Sequence, residues 1–66
     1  MELLILKSGQ EYIRFKDHEP LLVSIDKASV FPLNQMEAVQ QHRFHIKEQG
    51  FADVCIKKLI LTEEEL

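Results

Sequence analysis

Residues 28–61 read ASVFPLNQMEAVQQHRFHIKEQGFADVCIKKLIL, and the reading of this stretch decides the fold. Ser29-Val30-Phe31 is a short extended piece ended by Pro32, which has no N–H to continue a ladder. Asn34 stands where a helix N-cap is wanted, with Glu37 in the capping-box position and Leu33 placed to staple onto Ala38. The spacing predicts a helix over Gln35 to Gln49, with Gly50 as the left-handed residue that ends it. At about 100° per residue Met36, Val39, Arg43 and Ile46 share one stripe, widened by Gln35 and His42, with Arg43 lying along it through its aliphatic stem. Phe51 to Leu61 is then an apolar strand. Strand, crossover helix and strand is a way of covering a sheet, so the stretch speaks to architecture and not to activity.

Toward the N-terminus the pattern changes to strands and turns. Leu3 to Leu6 is apolar on both faces, as an interior strand or one whose outer face is covered is, and stops at the turn cluster Lys7-Ser8-Gly9-Gln10. Glu11 to Lys16 alternates, with Ile13 and Phe15 on one face and Tyr12, Arg14 and Lys16 on the other, so the two segments are expected to form an antiparallel hairpin. Asp17-His18-Glu19-Pro20 is a second turn. Leu21, Val23 and Ile25 alternate after it, with Leu22 and Ser24 opposite, and Asp26-Lys27 turns the chain again. In the last strand Lys57-Lys58 breaks the alternation. A bulge there keeps Val54, Ile56, Leu59 and Leu61 on one side; without it one lysine points at the core face or the strand ends early.

The expected fold is α+β: a three- to four-stranded, mainly antiparallel sheet with one helix packed on one face, in the order β-β-β-(β)-α-β. Expected core residues are Leu4, Leu6, Ile13, Phe15, Val23, Ile25, Val39, Ile46, Val54 and Ile56. Residues 1–61 make a single domain and residues 62–66 an acidic C-terminal tail. The 66 residues lie near the lower end of what one core holds together unaided, which gives a reason to dimerise.

Composition narrows the function classes. With 45% hydrophobic and 29% charged residues the chain is globular rather than disordered. Eight bases against 11 acids give a net charge of −3, and the bases come singly apart from Lys57-Lys58, so composition argues against non-specific nucleic-acid binding. The single cysteine, Cys55, excludes an intramolecular disulfide and fits a reducing, cytoplasmic setting. No run approaches the ~18 apolar residues of a membrane span, so no membrane partner is expected.

Phe44 is the residue that stands out. It lies roughly 140° around the helix from the centre of the apolar stripe, so it faces solvent among Gln40, Gln41 and Lys47 and forms a candidate interaction surface. Arg14, Lys16, Lys57 and Lys58 form a candidate basic strip across the sheet, the basis of an alternative reading as a weak nucleic-acid-binding module. His42 and His45, three apart on the helix, with Cys55 on the following strand, make the one conceivable metal or thiol site. There is no second cysteine and no acid at a matching spacing, and no metal is assigned. Gly9 and Gly50 each have a turn or cap to make, so no phosphate-binding loop and no cofactor is expected. The expected function is therefore that of a non-enzymatic protein-interaction domain with an unknown protein partner or a second copy of itself.

Three resemblances are carried by particular residues. Ala28-Ser29-Val30-Phe31, Glu37-Ala38 and Gln49-Gly50-Phe51-Ala52-Asp53-Val54 together resemble the strand, helix, Gly, strand unit of the sporulation-related repeat that binds cell-wall glycan. That likeness covers under half the chain and implies the arrangement of the unit alone. A similar fragment ending in Lys57-Lys58-Leu59 and Thr62-Glu63-Glu64 resembles the small hybrid-binding module at the N-terminus of some ribonucleases H, without that module's stacking tryptophan and basic lip. As a whole, with Gln10-Glu11-Tyr12-Ile13 in its opening hairpin, the chain resembles small bacterial and prophage-encoded single-domain proteins of unknown function, which implies a bacterial cytoplasmic protein.

Overall fold

Leu3 to Leu6 lie in the one strand that pairs along both of its edges. The structure, a computed structural model, describes residues 1–65. Strand β1 (Glu2–Ser8) pairs along its whole length with β5 (Val54–Ile60), from Glu2↔Ile60 to Ser8↔Val54. Its other edge is shared. Strand β2 (Glu11–Lys16) takes only Lys7↔Tyr12 and Ser8↔Glu11, whereas β4 (Val30–Pro32) takes Leu3↔Pro32 through Ile5↔Val30. Strand β3 (Glu19–Val23) pairs with β2 at the margin of the sheet. Every pairing is antiparallel, so β4 and β5, which flank β1, run parallel to each other and are joined by the helix α1 (Met36–Glu48). The architecture is the expected α+β sheet with one helix on one face, and β4 makes it five-stranded.

The split beside β1 is held by Ser29. Its N–H donates to the Ile13 carbonyl and its Oγ accepts from the Phe15 N–H, each at 3.0 Å. Backbone groups that β2 no longer presents to β1 are thereby satisfied, which lets β2 peel away while β4 takes its place. Both hairpin turns have two residues. Gly9 (φ 61°) heads the first, whereas the second places Asp17 (φ 51°) and His18 (φ 65°) in the left-handed region without a glycine.

The helix ends as its sequence requires. Gly50 (φ 97°) follows the C-cap Gln49, the Gly50 N–H donates to the Lys47 carbonyl, and the Phe51 N–H donates to the Ile46 carbonyl. This is the Schellman arrangement, with Phe51 packed against the core that holds Ile46. The start differs from expectation. Leu33–Gln35 forms a 3-10 turn, the N-cap is Gln35, and no side chain caps it, so Asn34 is drawn inside the turn and the capping box with Glu37 does not form.

Leu4, Leu6, Ile13, Val39, Ile46 and Val54 form the closed core between sheet and helix, with Phe15, Phe31, Phe51 and Ile56 packed against it. Two expected core residues lie elsewhere. Val23, at the end of marginal strand β3, is half-buried on the face away from the helix, and Ile25 sits in a 3-10 turn (Ile25–Lys27) at 47% exposure. The β2–β3 register sets Val23 opposite Tyr12 on the helix-free side, and Leu22, on the helix side, is left 47% exposed, so the alternation of β3 buries nothing deeply. Conversely Ile5, 1% exposed, is buried on the side of β1 opposite the core. No bulge occurs at Lys57-Lys58. The β1–β5 ladder is continuous, so Lys58 lies on the helix-side face, 52% exposed and 3.6 Å from Glu2, and Leu59 turns to the other face. Past β5, Met1 and Leu61 exchange backbone hydrogen bonds; residues 62–65 of the expected tail are exposed without regular structure, and Leu66 lies outside the described residues.

Candidate functional site

Two surfaces combine apolar and polar groups, one on each side of the sheet. On the helix side, Phe15 of β2, Phe31 of β4 and His42 of α1 meet ring to ring. The His42 centroid lies 4.8 Å from that of Phe15 and 5.6 Å from that of Phe31, and the two phenyl rings meet edge-on at 6.3 Å. These distances are those of attractive aromatic pairs. The stitch at Ser29 sets the arrangement, because it ties Phe15 to the segment that carries Phe31. The trio forms one wall of a recess of about 510 Å³, closed on other sides by His18 and Pro20 from the second hairpin and by His45 and Gln49 from α1. Positions 42, 45 and 49 share one helical face by their spacing of three and four.

On the opposite face the register collects a different set. Leu3, Ile5, Tyr12, Leu21, Val23, Cys55 and Leu59 lie there, together with the bases Lys7, Arg14, Lys16 and Lys57. Glu19, opposite Lys16, is the one acid that a strand contributes to it. The Lys7 Nζ stands 5.4 Å from the Tyr12 ring centroid, within cation–π range. Helix α1 lies on the other side, and Leu21, at 41% exposure, is open to solvent.

The sequence-derived candidates divide between these surfaces and elsewhere. Phe44 is 61% exposed and stands beside Glu37, Gln40, Gln41 and His45 around a shallow depression of about 330 Å³, with its ring 6.1 Å from that of His45; Lys47 is exposed but does not line it. Arg14, Lys16 and Lys57 share the helix-free face, but Lys58 is on the opposite face beside Glu2, so the four do not make one strip. His42 and His45 line the recess, as does His18, whereas Cys55 lies across the sheet paired with Lys7. Among the described residues no group of three His, Cys, Asp or Glu side chains is placed to hold a metal ion. Arg43, expected along the apolar stripe, donates from Nε to the Val54 carbonyl at 3.0 Å.

Sequence reasoning did not assemble the recess. Its aromatic residues come from three elements separated in the chain, and periodicity within one element cannot join them. The one local signal is the turn Asp17-His18, where positive φ at both positions favours Asn-Gly and the turn has neither residue. Among the described residues no helix is long and apolar enough to cross a membrane. No protein-family model, curated protein or solved structure matches this chain.

Proposed function

We propose that the chain is a small, non-enzymatic protein-interaction domain of the cytoplasm that binds an acidic, amphipathic segment of another protein on the helix-free face of its sheet. One observation carries this reading: the strands set four bases and a single acid around an apolar centre there, in a chain whose net charge is −3. Charge complementarity of this kind selects partners and speeds encounter, while aromatic and aliphatic groups such as Tyr12 and Leu21 supply contact area. The same bases weigh against a homodimer formed face to face, since two copies would set like charges against each other. The two sheet margins are poor docking lines. Pro20 leaves β3 without one of its edge donors, and β5 carries Lys57 and Lys58 with its Val54 carbonyl already taken by Arg43.

The test is a titration with a synthetic helical peptide bearing a leucine stripe flanked by glutamates, run beside single-stranded oligo(dT). Saturable peptide binding that weakens with salt, and weakens further in Arg14→Glu and Lys57→Glu but not in Phe44→Ser, is the expected result. Tighter binding of oligo(dT), with the same dependence on Arg14 and Lys57, would replace this reading with the nucleic-acid one. A stable dimer by light scattering that Phe44→Ser dissociates would move the contact to the Phe44 surface and overturn it.

A further inference from the structure

We infer that the recess between α1 and the β2–β3 hairpin is a binding site for an aromatic carboxylate, a flat ring bearing an anionic acceptor. The inference does not depend on the partner proposed for the opposite face. Three observations support it. The recess, at about 510 Å³, falls within the roughly 300–1,000 Å³ of small-molecule sites and shares their composition, an apolar wall with a few convergent polar groups. Its wall is aromatic, formed by Phe15, Phe31 and the tilted imidazole of His42, so a planar ring can continue a cluster already spaced for stacking. Beside His42 its polar groups are His18, Ser29, His45 and Gln49, all able to donate hydrogen bonds, and neither the hairpin, β4 nor α1 lines it with a carboxylate that would repel an anion.

Backbone strain supplies an independent argument. Asp17 and His18 hold φ of 51° and 65° in a two-residue turn, conformations that cost a side chain about 1 kcal/mol or more and that glycine adopts freely. The side chain held in that conformation at position 18 is a histidine that lines the recess.

Two sources share this ligand chemistry, a free aromatic acid and the C-terminal aromatic residue of a peptide. The experiment therefore titrates the whole chain, followed residue by residue in amide NMR spectra, with 2-naphthoate, with its neutral analogue 2-naphthamide, and with N-acetylphenylalaninate. Saturable one-to-one binding of a carboxylate, with shifts centred on Phe15, Phe31 and His42 and affinity about tenfold above the amide, is expected. A preference for 2-naphthoate identifies the free acid and a preference for N-acetylphenylalaninate the peptide end. His18→Gly should weaken binding by about tenfold while leaving the melting temperature equal or higher, a combination that a purely structural histidine would not give. Absence of saturation by either carboxylate, equal binding of the amide, or unchanged affinity in His18→Gly would each overturn the site. Substitutions at Arg14 and Lys57 should leave this binding unaltered, which separates its failure from failure of the interaction reading.

Discussion

The two faces of the sheet are built on the same strand and differ in what closes them. Leu4 and Leu6 point toward α1 and are walled by Val39 and Ile46. Ile5, between them, is equally inaccessible, yet its cross-strand neighbours are Val30 and Lys57, and Lys7 and Tyr12 stand next along the same face. One face is closed by a packed helix, the other by long amphipathic side chains lying over an apolar centre. Rigid closure yields a core; closure by lysine and tyrosine leaves a surface that can be reopened by a partner. A chain of 66 residues can fill one core well, and the second face is where its remaining apolar groups meet solvent.

Truncation tests this contrast directly. Leu6→Ala should cost about 3–4 kcal/mol, because the helix and the flanking strands cannot collapse into the space. Against a total stability of roughly 3–10 kcal/mol for a domain of this size, urea denaturation should show a largely unfolded variant. Ile5→Ala should cost about 2 kcal/mol, near the transfer value of the removed groups, because the lysine and tyrosine side chains relax over the gap. Equal losses at the two positions would break the distinction and give the helix-free face a rigid core of its own.

Smaller effects sharpen it from the helix side. Gly50→Ala should cost about 1 kcal/mol in chemical denaturation, from the φ of 97° alone, since a Cβ there would meet nothing within 4 Å. A much larger loss would mean that the helix end bears on the core more heavily than its backbone geometry implies. The smallest effect belongs to the crossing between β3 and β4. Ser24 Oγ donates to the Asp26 carboxylate, and this bond, then the Asp26 backbone N–H and the Lys27 charge, hold that carboxyl below its ordinary value against a small opposing effect of desolvation. A lowered folded-state pKa contributes stability above the unfolded value, near pH 3.8, that is lost as pH falls through the folded one. Ser24→Ala should raise the Asp26 pKa in a carboxylate NMR titration and leave stability at pH 7 almost unchanged, because the group is fully exposed.

Much of the core was legible because it rests on short-range periodicity. Alternation in Glu11 to Lys16 and helical spacing from Val39 to Ile46 mark inward residues without reference to any other part of the chain. Val23 and Ile25 misled for the same reason. Their alternation is real, but the β2–β3 register sets Val23 opposite Tyr12 on the face away from the helix, and Ile25 lies past the end of β3 in a 3-10 turn. At Asn34 the capping signal was overridden by Pro32 and the 3-10 turn that follows it. At Lys57-Lys58 a continuous seven-residue ladder with β1 outweighed the apolar pattern, and a lysine at the sheet margin keeps its ammonium in water at little cost. Of the candidate sites, the exposure of Phe44 was readable from its helical angle. The histidine recess was not, since His18 and His42 line it from separate elements, the second hairpin and α1.

By itself the sequence determined the elements and their order: turns around Gly9 and around Asp17-His18, a helix stopped by Gly50, and an apolar β1 fit for the middle of a sheet. These follow from the conformational preferences of residues within a few positions of one another. Tertiary structure alone decided that β4 displaces β2 from half of β1, that Phe15, Phe31 and His42 meet, and that the bases gather opposite the helix. Those outcomes depend on which strand edge satisfies which backbone group, a competition between segments far apart in the chain that no local pattern encodes.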